Sequence, residues 1–424
     1  MRLRFVGERG QAMAEGLVSK RHSPRERGRP VHRPQKTIGN LQTMNVAFEK
    51  KAAGGRDVRA PMAPPLQQID RTYVLYRGKK YSYFGGCDYF RLASHPQIIA
   101  AMREGMERFG LNVAASRLTT GNHRLYQELE QRLAEFFDVE CAVLLSNGYM
   151  TNLAVAQALA GSFSHVLVDE HAHASLQDAA QYFQSPILTF KHRDFQDAER
   201  ALKRCGRRPK PVLLTDGMFS RDGEIAPLQD YLRLLPADGL IVVDDAHGAG
   251  TLGTTGKGTV EHLHMPTKQI VQTITLSKAF GVYGGAILGS QALRKKILCR
   301  SRIFVGNTPL PLPLAYAASQ ALKLVRDDKG LRKRLATNTH YVKGKLRAEA
   351  FPVTETPSPI VSFIPRNVTE AAFFKRHFLA HGIFHSLISY PGGPRGGYFR
   401  FTLSSEHSRE QLDSLLDALL SFKP

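Results

Sequence analysis

Lys278 stands where an apolar run ends and a glycine-rich turn begins, in Thr275-Leu276-Ser277-Lys278-Ala279-Phe280-Gly281 followed by Gly284-Gly285. A lysine leaving a buried strand into such a turn sits on a rigid support with its amine aimed at a cleft. Most lysines are solvated surface groups, so the reading depends on what accompanies it. Thirty-four positions upstream, the run Leu240-Ile241-Val242-Val243 ends in Asp244-Asp245-Ala246-His247-Gly248. A carboxylate at a strand's end, held in a low-dielectric pocket, can keep a pyridine nitrogen protonated, and the ring then accepts electrons as an α-carbanion forms. That role falls to Asp244. Alone, Asp244 and His247 could equally mark a metal site or a helix N-cap; the pairing with a strand-end lysine favours the ring.

A phosphate needs backbone N–H donors in a tight turn at a helix N-terminus. Ser146-Asn147-Gly148-Tyr149 lies between an apolar run and a helical stretch, which fits that need, although a glycine there is also an ordinary turn signal. The Thr275 hydroxyl, three residues before Lys278, is placed for a second phosphate contact. His173, in Asp169-Glu170-His171-Ala172-His173, has a flat ring that could stack on a flat cofactor or simply cap a helix. Ser220, in Asp216-Gly217-Met218-Phe219-Ser220, is ambiguous by itself.

The elements that must position these residues follow from the hydrophobic pattern. Short apolar runs at 142–145, 166–168, 187–190, 212–215, 240–243, 270–276 and 286–288 alternate with helical stretches. Strands apolar on both faces and separated by helices predict an α/β fold with a mainly parallel seven-stranded sheet, which binds ligands beyond the carboxyl ends of its strands. Before it, Thr72–Tyr76 and Lys80–Phe84 predict a hairpin turning at Arg77-Gly78-Lys79, and 95–109 a helix. After it come one long helical region from Leu312 to about Ala350 and a smaller α+β C-terminal domain: strand 360–364, helix 370–381, strands 383–388 and 398–404, helix 409–422. The expected division is a basic extension over 1–60, an N-terminal segment over 61–100, a large domain over 101–315, and a linker helix with C-terminal domain over 316–424.

The 424 residues are 42% hydrophobic, an ordinary globular composition. No apolar stretch reaches the ~18 residues of a membrane helix, and no h-region follows the N-terminal arginines, so a cytoplasmic protein is expected. Cys87, Cys141, Cys205 and Cys299 are scattered without a CxxC pair; they read as reduced thiols, and no metal is expected. Of the formal charge of +21, residues 1–60 contribute a surplus of 9, with 14 Lys/Arg against 5 Asp/Glu. The segment from Arg21 to Lys36 is too polar to offset its ordering entropy and is expected to be disordered. It reads as a solvated extension, as sequence preceding a true start at Met44, or as a nucleic-acid tail, the last being the least favoured. The basic balance of the rest would suit a phosphorylated acyl carrier such as coenzyme A.

The segments HPQI, SRLTTGNHRLYQELEQRLAEFF, SNGYMTN, HAHASL, TDGMFSRDGEIAPL, VVDDAHGAGTLG, TLSKAFGVYGGAILG and YFRFTLSSEH occur in this order over about 85–420. Together they resemble the α-oxoamine synthase family of fold-type-I pyridoxal-5′-phosphate (PLP) enzymes. The resemblance implies that Lys278 holds PLP as a Schiff base and later carries a proton, that Asp244 meets the pyridine nitrogen, and that His173 stacks on the ring. It further implies His247 and Ser220 near the phenolic oxygen, the Gly148 and Tyr149 backbone at the phosphate with Thr275, and Arg400 on the amino-acid carboxylate, a task suited to a bidentate guanidinium. The implied reaction condenses an amino acid with an acyl-CoA thioester in a homodimer with shared active sites.

Departures from the family pattern are Cys87-Asp88-Tyr89-Phe90-Arg91 in place of Asn-Asp-Tyr-Leu-Gly, and Tyr126 in place of a histidine. Val305-Gly306-Asn307-Thr308-Pro309 replaces a Ser/Thr-rich segment serving the neighbouring subunit's phosphate, for which Asn307 and Thr308 could substitute. Ser389–Arg395 lacks an arginine-plus-proline run, and Arg395 could take over its task. Two rivals remain: an aminotransferase on the same fold, and a catalytically weak paralogue whose basic tail binds nucleic acid.

Overall fold

The computed structural model describes residues 63–389, 394 and 396–421. The expected disordered extension over 1–60 and Arg395 therefore lie outside the described residues. The described residues form one compact unit.

Seven strands form the main sheet: β4 (Cys141–Leu145), β5 (His165–Asp169), β6 (Ile187–Phe190), β7 (Pro211–Asp216), β8 (Leu240–Asp244), β9 (Ile270–Thr275) and β10 (Gly285–Gly289). Their spatial order is β4-β10-β9-β8-β7-β5-β6, parallel except for β10, which runs antiparallel to both its neighbours. Alternate residues feed opposite faces. Val212, Leu214, Val242 and Val271 pack under the helices Gly148–Ala158 and Ala174–Tyr182. Leu213, Ile241 and Val243 pack under Phe195–Lys203 and Leu228–Leu234. Toward the other end of the sheet, Leu144, Ile274, Ala286 and Leu288 are covered by Pro96–Phe109, Arg124–Phe137 and Leu312–Asp327. This two-sided burial is why the strands read as continuous apolar runs.

The N-terminal hairpin pairs β2 (Tyr73–Tyr76) with β3 (Lys79–Ser82) in the register Tyr76↔Lys79, leaving Arg77 and Gly78 as a two-residue turn with φ of 50° and 75°. Positive φ at both positions matches the right-handed twist of the flanking strands. A short strand β1 (Gln67–Gln68), not anticipated from the sequence, adds to β2.

Two elements differ from expectation. The single long helix is two, Leu312–Asp327 and Lys329–Ala348, because Asp328 turns out of helical geometry at ψ 86° and its carboxylate accepts from the Gly330 amide at 2.8 Å. The strand expected over 383–388 shrinks to β12 (Leu387–Ile388), since Ile383 and Phe384 leave to bridge Ser82 of β3, the Phe384 amide donating to its carbonyl at 2.9 Å. β12 and β11 (Ile360–Phe363) flank β13 (Tyr398–Thr402) in an antiparallel sheet. Phe374, Phe378, Phe399 and Phe401 form its apolar centre with Leu412 and Leu415 of the helix Arg409–Leu420. Burying each phenylalanine contributes about 1.5–3 kcal/mol.

Candidate active site

Asp216 and Asp244 end β7 and β8 in register with one another, both buried. The Asp244 carboxylate is held from below: the Asn152 amide donates to Oδ2 at 2.6 Å and the Ser175 hydroxyl to the same oxygen at 3.4 Å, while the Ala246 amide donates to Oδ1 at 3.1 Å. Asn152 is itself fixed, its carbonyl accepting from Thr273 at 2.7 Å. Three donors fix the orientation of this carboxylate. Burial and the neighbouring Asp244 charge push Asp216 well above the usual carboxylate range.

Lys278 follows β9 in the short link to β10. The link is tied by Leu276 N and the Thr275 hydroxyl donating to the Gly284 carbonyl, at 2.9 and 3.1 Å, and by Gly281 N donating to Lys278 O at 2.9 Å. Burial lowers the Lys278 ammonium below the usual lysine range, although Asp244 and Asp216 oppose the shift. A lysine that loses its proton readily can act as a nucleophile or a base.

His247 is 4% exposed and its Nδ1 lies 2.7 Å from the Tyr89 hydroxyl. Burial first, then the charges of Lys278 and Arg400, hold it well below the usual histidine range, so the ring is neutral. His173 caps the helix Ala174–Tyr182, its Nδ1 accepting from the Ser175 amide at 3.2 Å, while its own amide donates to Asp216 at 2.8 Å. The cap and the anchored backbone hold His173 between the helix start and the strand-end Asp216. Arg400, on β13, donates from Nη1 to the Ser220 carbonyl at 2.9 Å, joining the C-terminal sheet to the loop after β7.

The turn Ser146-Asn147 leads into the helix Gly148–Ala158, where Asn147 accepts from the Met150 amide at 3.0 Å and the Gly148 and Tyr149 amides are in the first turn, which an α-helix leaves unpaired. A Cβ on Gly148 would stand 2.8 Å from the Thr275 Cβ, and one on Gly285 would meet the Asn147 carbonyl at 2.7 Å. The turn is thus pressed against the ends of β9 and β10, beside the hydroxyls of Thr275 and Ser277, 2.7 Å apart. Asn307 and Thr308 meet Ser146 of the same chain: the Asn307 amide donates to its hydroxyl, which donates to the Thr308 carbonyl at 3.1 Å. The Tyr149 side chain turns outward to Asp178, which pushes its phenol up to about 12.

A helix N-terminus ringed by hydroxyls, a lysine on the adjacent link, and a carboxylate at a neighbouring strand end match the phosphate, aldehyde and pyridine nitrogen of PLP, so the residues present fit that cofactor. Fold and site together define a fold-type-I PLP enzyme. The sequence model of the family "Aminotransferase class I and II" matches residues 84–419. The chain is 35% identical over 386 residues to 8-amino-7-oxononanoate synthase of Thioalkalivibrio sulfidiphilus, covering 89% of this chain and 97% of that one. To the enzyme of the same name from Methylococcus capsulatus it is 36% identical over 357 residues, covering 83% and 92%. Among solved structures, serine palmitoyltransferase from S. paucimobilis with a bound PLP–myriocin aldimine superposes with a TM-score of 0.79 at 27% identity, covering 90% of this chain and 98% of that one. The 8-amino-7-oxononanoate synthase of Francisella tularensis does so with 0.70 at 25%, covering 80% and 97%. The chain belongs to the aminotransferase class I and II family and, within it, to the α-oxoamine synthases.

Sequence reasoning passed over Asn152, Ser175, Asp216 and Tyr89. All four lie inside quoted motifs, but their partners are far away in the chain, so no spacing rule points to them.

Proposed function

We propose that this protein is a PLP-dependent acyltransferase that condenses a small amino acid with an acyl-CoA thioester, releasing CoA and, as for most of its family, CO2. The observation that carries the reading is the convergence, at the carboxyl edge of one sheet, of Asp244 held by Asn152 and Ser175, the Lys278 link after β9 and the helix start at Gly148 pressed on Thr275, with Arg400 tied to the Ser220 carbonyl. When bound, PLP supplies a protonated pyridine ring that accepts the electron pair released at the amino acid's α-carbon.

The residues divide the remaining work. Lys278 would anchor the cofactor, and its amine, lowered by burial, is suited to take the α-proton. Asp244 would keep the pyridine nitrogen protonated, His173 would stack on the ring, and the Ser220 and His247 side chains would address the phenolic oxygen. The Gly148 and Tyr149 amides and the Thr275 hydroxyl hold the phosphate. Arg400 grips the substrate carboxylate. Bonding of the α-carbon to the thioester carbonyl carbon would break the C–S bond, CoA leaving as the thiol, and loss of CO2 would break the bond from the α-carbon to the carboxylate, the carbon regaining the proton that Lys278 took.

Around the loop 305–312 lie the exposed side chains of Leu111, Leu118, Tyr283 and Val305. Leu111 O accepts from Leu312 N at 3.1 Å, and the Ser116 hydroxyl donates to Val305 O at 2.6 Å. This apolar rim beside the phosphate turn supports a homodimer with shared active sites, in which Asn307 and Thr308 lie close to both. We read 101–315 as the cofactor-binding domain, 61–100 as an N-terminal segment, and 316–424 as linker and C-terminal domain. The protein is assigned to the cytoplasm; no helix among the described residues is long and apolar enough to cross a membrane.

The test is an absorbance spectrum of the protein with PLP, followed on addition of glycine, L-alanine or L-serine with a panel of acyl-CoAs while free thiol is measured. A visible band lost in Lys278→Ala, perturbed by one amino acid and coupled to thiol release, is expected. A cofactor that cycles with keto acids and never releases thiol would replace the reading with an aminotransferase.

A further inference from the structure

His247 is a neutral imidazole with two inequivalent nitrogens, and only one of them meets the protein. Its Nδ1 lies 2.7 Å from the Tyr89 hydroxyl, in a contact sealed from solvent: Tyr89 is 0% exposed, and the two rings meet edge-on at 6.2 Å and 68°. Among the described residues the His247 ring makes its hydrogen bond through Nδ1, and none reaches Nε2. The phenol has one proton to donate, and the groups against it are this nitrogen and the Cys87 thiol, whose sulfur is a weak acceptor. An imidazole nitrogen is the better acceptor by far. We propose that Tyr89 is a positioning residue that fixes the tautomer of His247: its hydroxyl donates to Nδ1, so the single ring proton resides on Nε2, the nitrogen left to face the cofactor.

The inference rests on the reading of His247 as a partner of the PLP phenolic oxygen. In that setting an Nε2–H donates to the oxygen, whereas the opposite tautomer would set a lone pair against it. The difference between donor and lone pair at a buried site is the difference between a made bond and an unpaired acceptor. Tyr89 is itself placed by the chain on either side. Its amide donates to Cys87 O at 3.0 Å and its carbonyl accepts from the Ser405 amide at 3.0 Å, so the C-terminal domain helps set the phenol's position.

The test is ¹⁵N NMR of the full-length protein loaded with PLP and labelled at histidine, in which the two ring nitrogens of a neutral imidazole report which one is protonated. His247 is expected as the Nε2–H tautomer in the wild type, and a proton on Nδ1 overturns the proposal whatever any variant does. Tyr89→Phe, which removes only the hydroxyl, is expected to mix the tautomers, to displace the visible cofactor band, and to lower kcat roughly tenfold with KM within about twofold. A folded Tyr89→Phe with unchanged tautomer and band also overturns it. A wild type that showed the Nε2–H tautomer but released no thiol with any acyl-CoA would defeat the acyltransferase reading and leave this one standing.

Discussion

Asp244 depends on Asn152 more than on any other side chain, since the 2.6 Å amide bond is the shorter of its two side-chain contacts and both partners are buried. Asn152→Leu removes that donor and leaves both Asp244 Oδ2 and the Thr273 hydroxyl short of a partner, at a cost of about 1–3 kcal/mol for each buried polar group. The variant is expected to bind PLP about tenfold more weakly, as read by titrating the visible band, and to unfold at lower denaturant. Lys278→Ala, in contrast, is expected to fold normally and show no lysine-linked band at all. At this scale the chemistry was legible where a residue type and a strand end coincide, as for Lys278 and Asp244. The supports were not. Asn152 and Asp244 are 92 residues apart, and Tyr89 and His247 are 158 apart; such pairs exist only once the sheet is assembled.

The phosphate turn shows what an element must give up to approach another. Gly148→Ala would improve the helix by up to about 1 kcal/mol on propensity alone. Against that, the new Cβ would stand 2.8 Å from the Thr275 Cβ, and relieving such overpacking typically costs about 1–3 kcal/mol. The turn would be forced off β9, so PLP affinity is expected to fall while the thermal midpoint changes little; equilibrium titration and a melt on the same sample separate the two. Asp328→Ala removes the cap between the two long helices and is expected to cost about 0.5–2 kcal/mol in a denaturant titration. The apolar runs disclosed every strand of the main sheet because all but the edge strand β6 are buried on both faces, and β6 keeps an apolar run. They did not disclose the break at Asp328, where helical composition continues on both sides, or the early end of the 383–388 run, where Ser82 of β3 competes for the same backbone.

For the molecule as a whole, Lys343 is a buried charge with a consequence for stability. It is 2% exposed, its amine donates to the Thr354 hydroxyl at 3.1 Å and the Thr356 carbonyl at 3.0 Å, and burial lowers it to about 8. The two threonines in turn donate to the carbonyls of Asp222 and Gly223, in the loop that carries Ser220. Between pH 8 and the ordinary lysine value near 10.5 the unfolded chain holds this proton and the folded one does not, so stability is expected to rise with pH across that window, by at most roughly 3 kcal/mol, and to be level below it. Comparing wild type with Lys343→Met over that range isolates the effect: the variant is expected to lack the rise. In the same spirit, light scattering is expected to give twice the 47.1 kDa of one chain, falling to one chain for Leu111→Asp combined with Tyr283→Asp.

The strand β10 lies between β4 and β9, and its pairing with β4 joins Cys141 to Gly289, 148 positions apart. Every other neighbouring pair in that sheet is joined across a far shorter span. The phosphate turn leaves β4 and the lysine link enters β10, so the two halves of the cofactor site meet only when this largest loop closes. Closing it is slow on entropic grounds. A refolding chain should therefore regain its helical signal before it can capture PLP, and a ribosome-bound chain cannot bind the cofactor until residues beyond Gly289 have emerged.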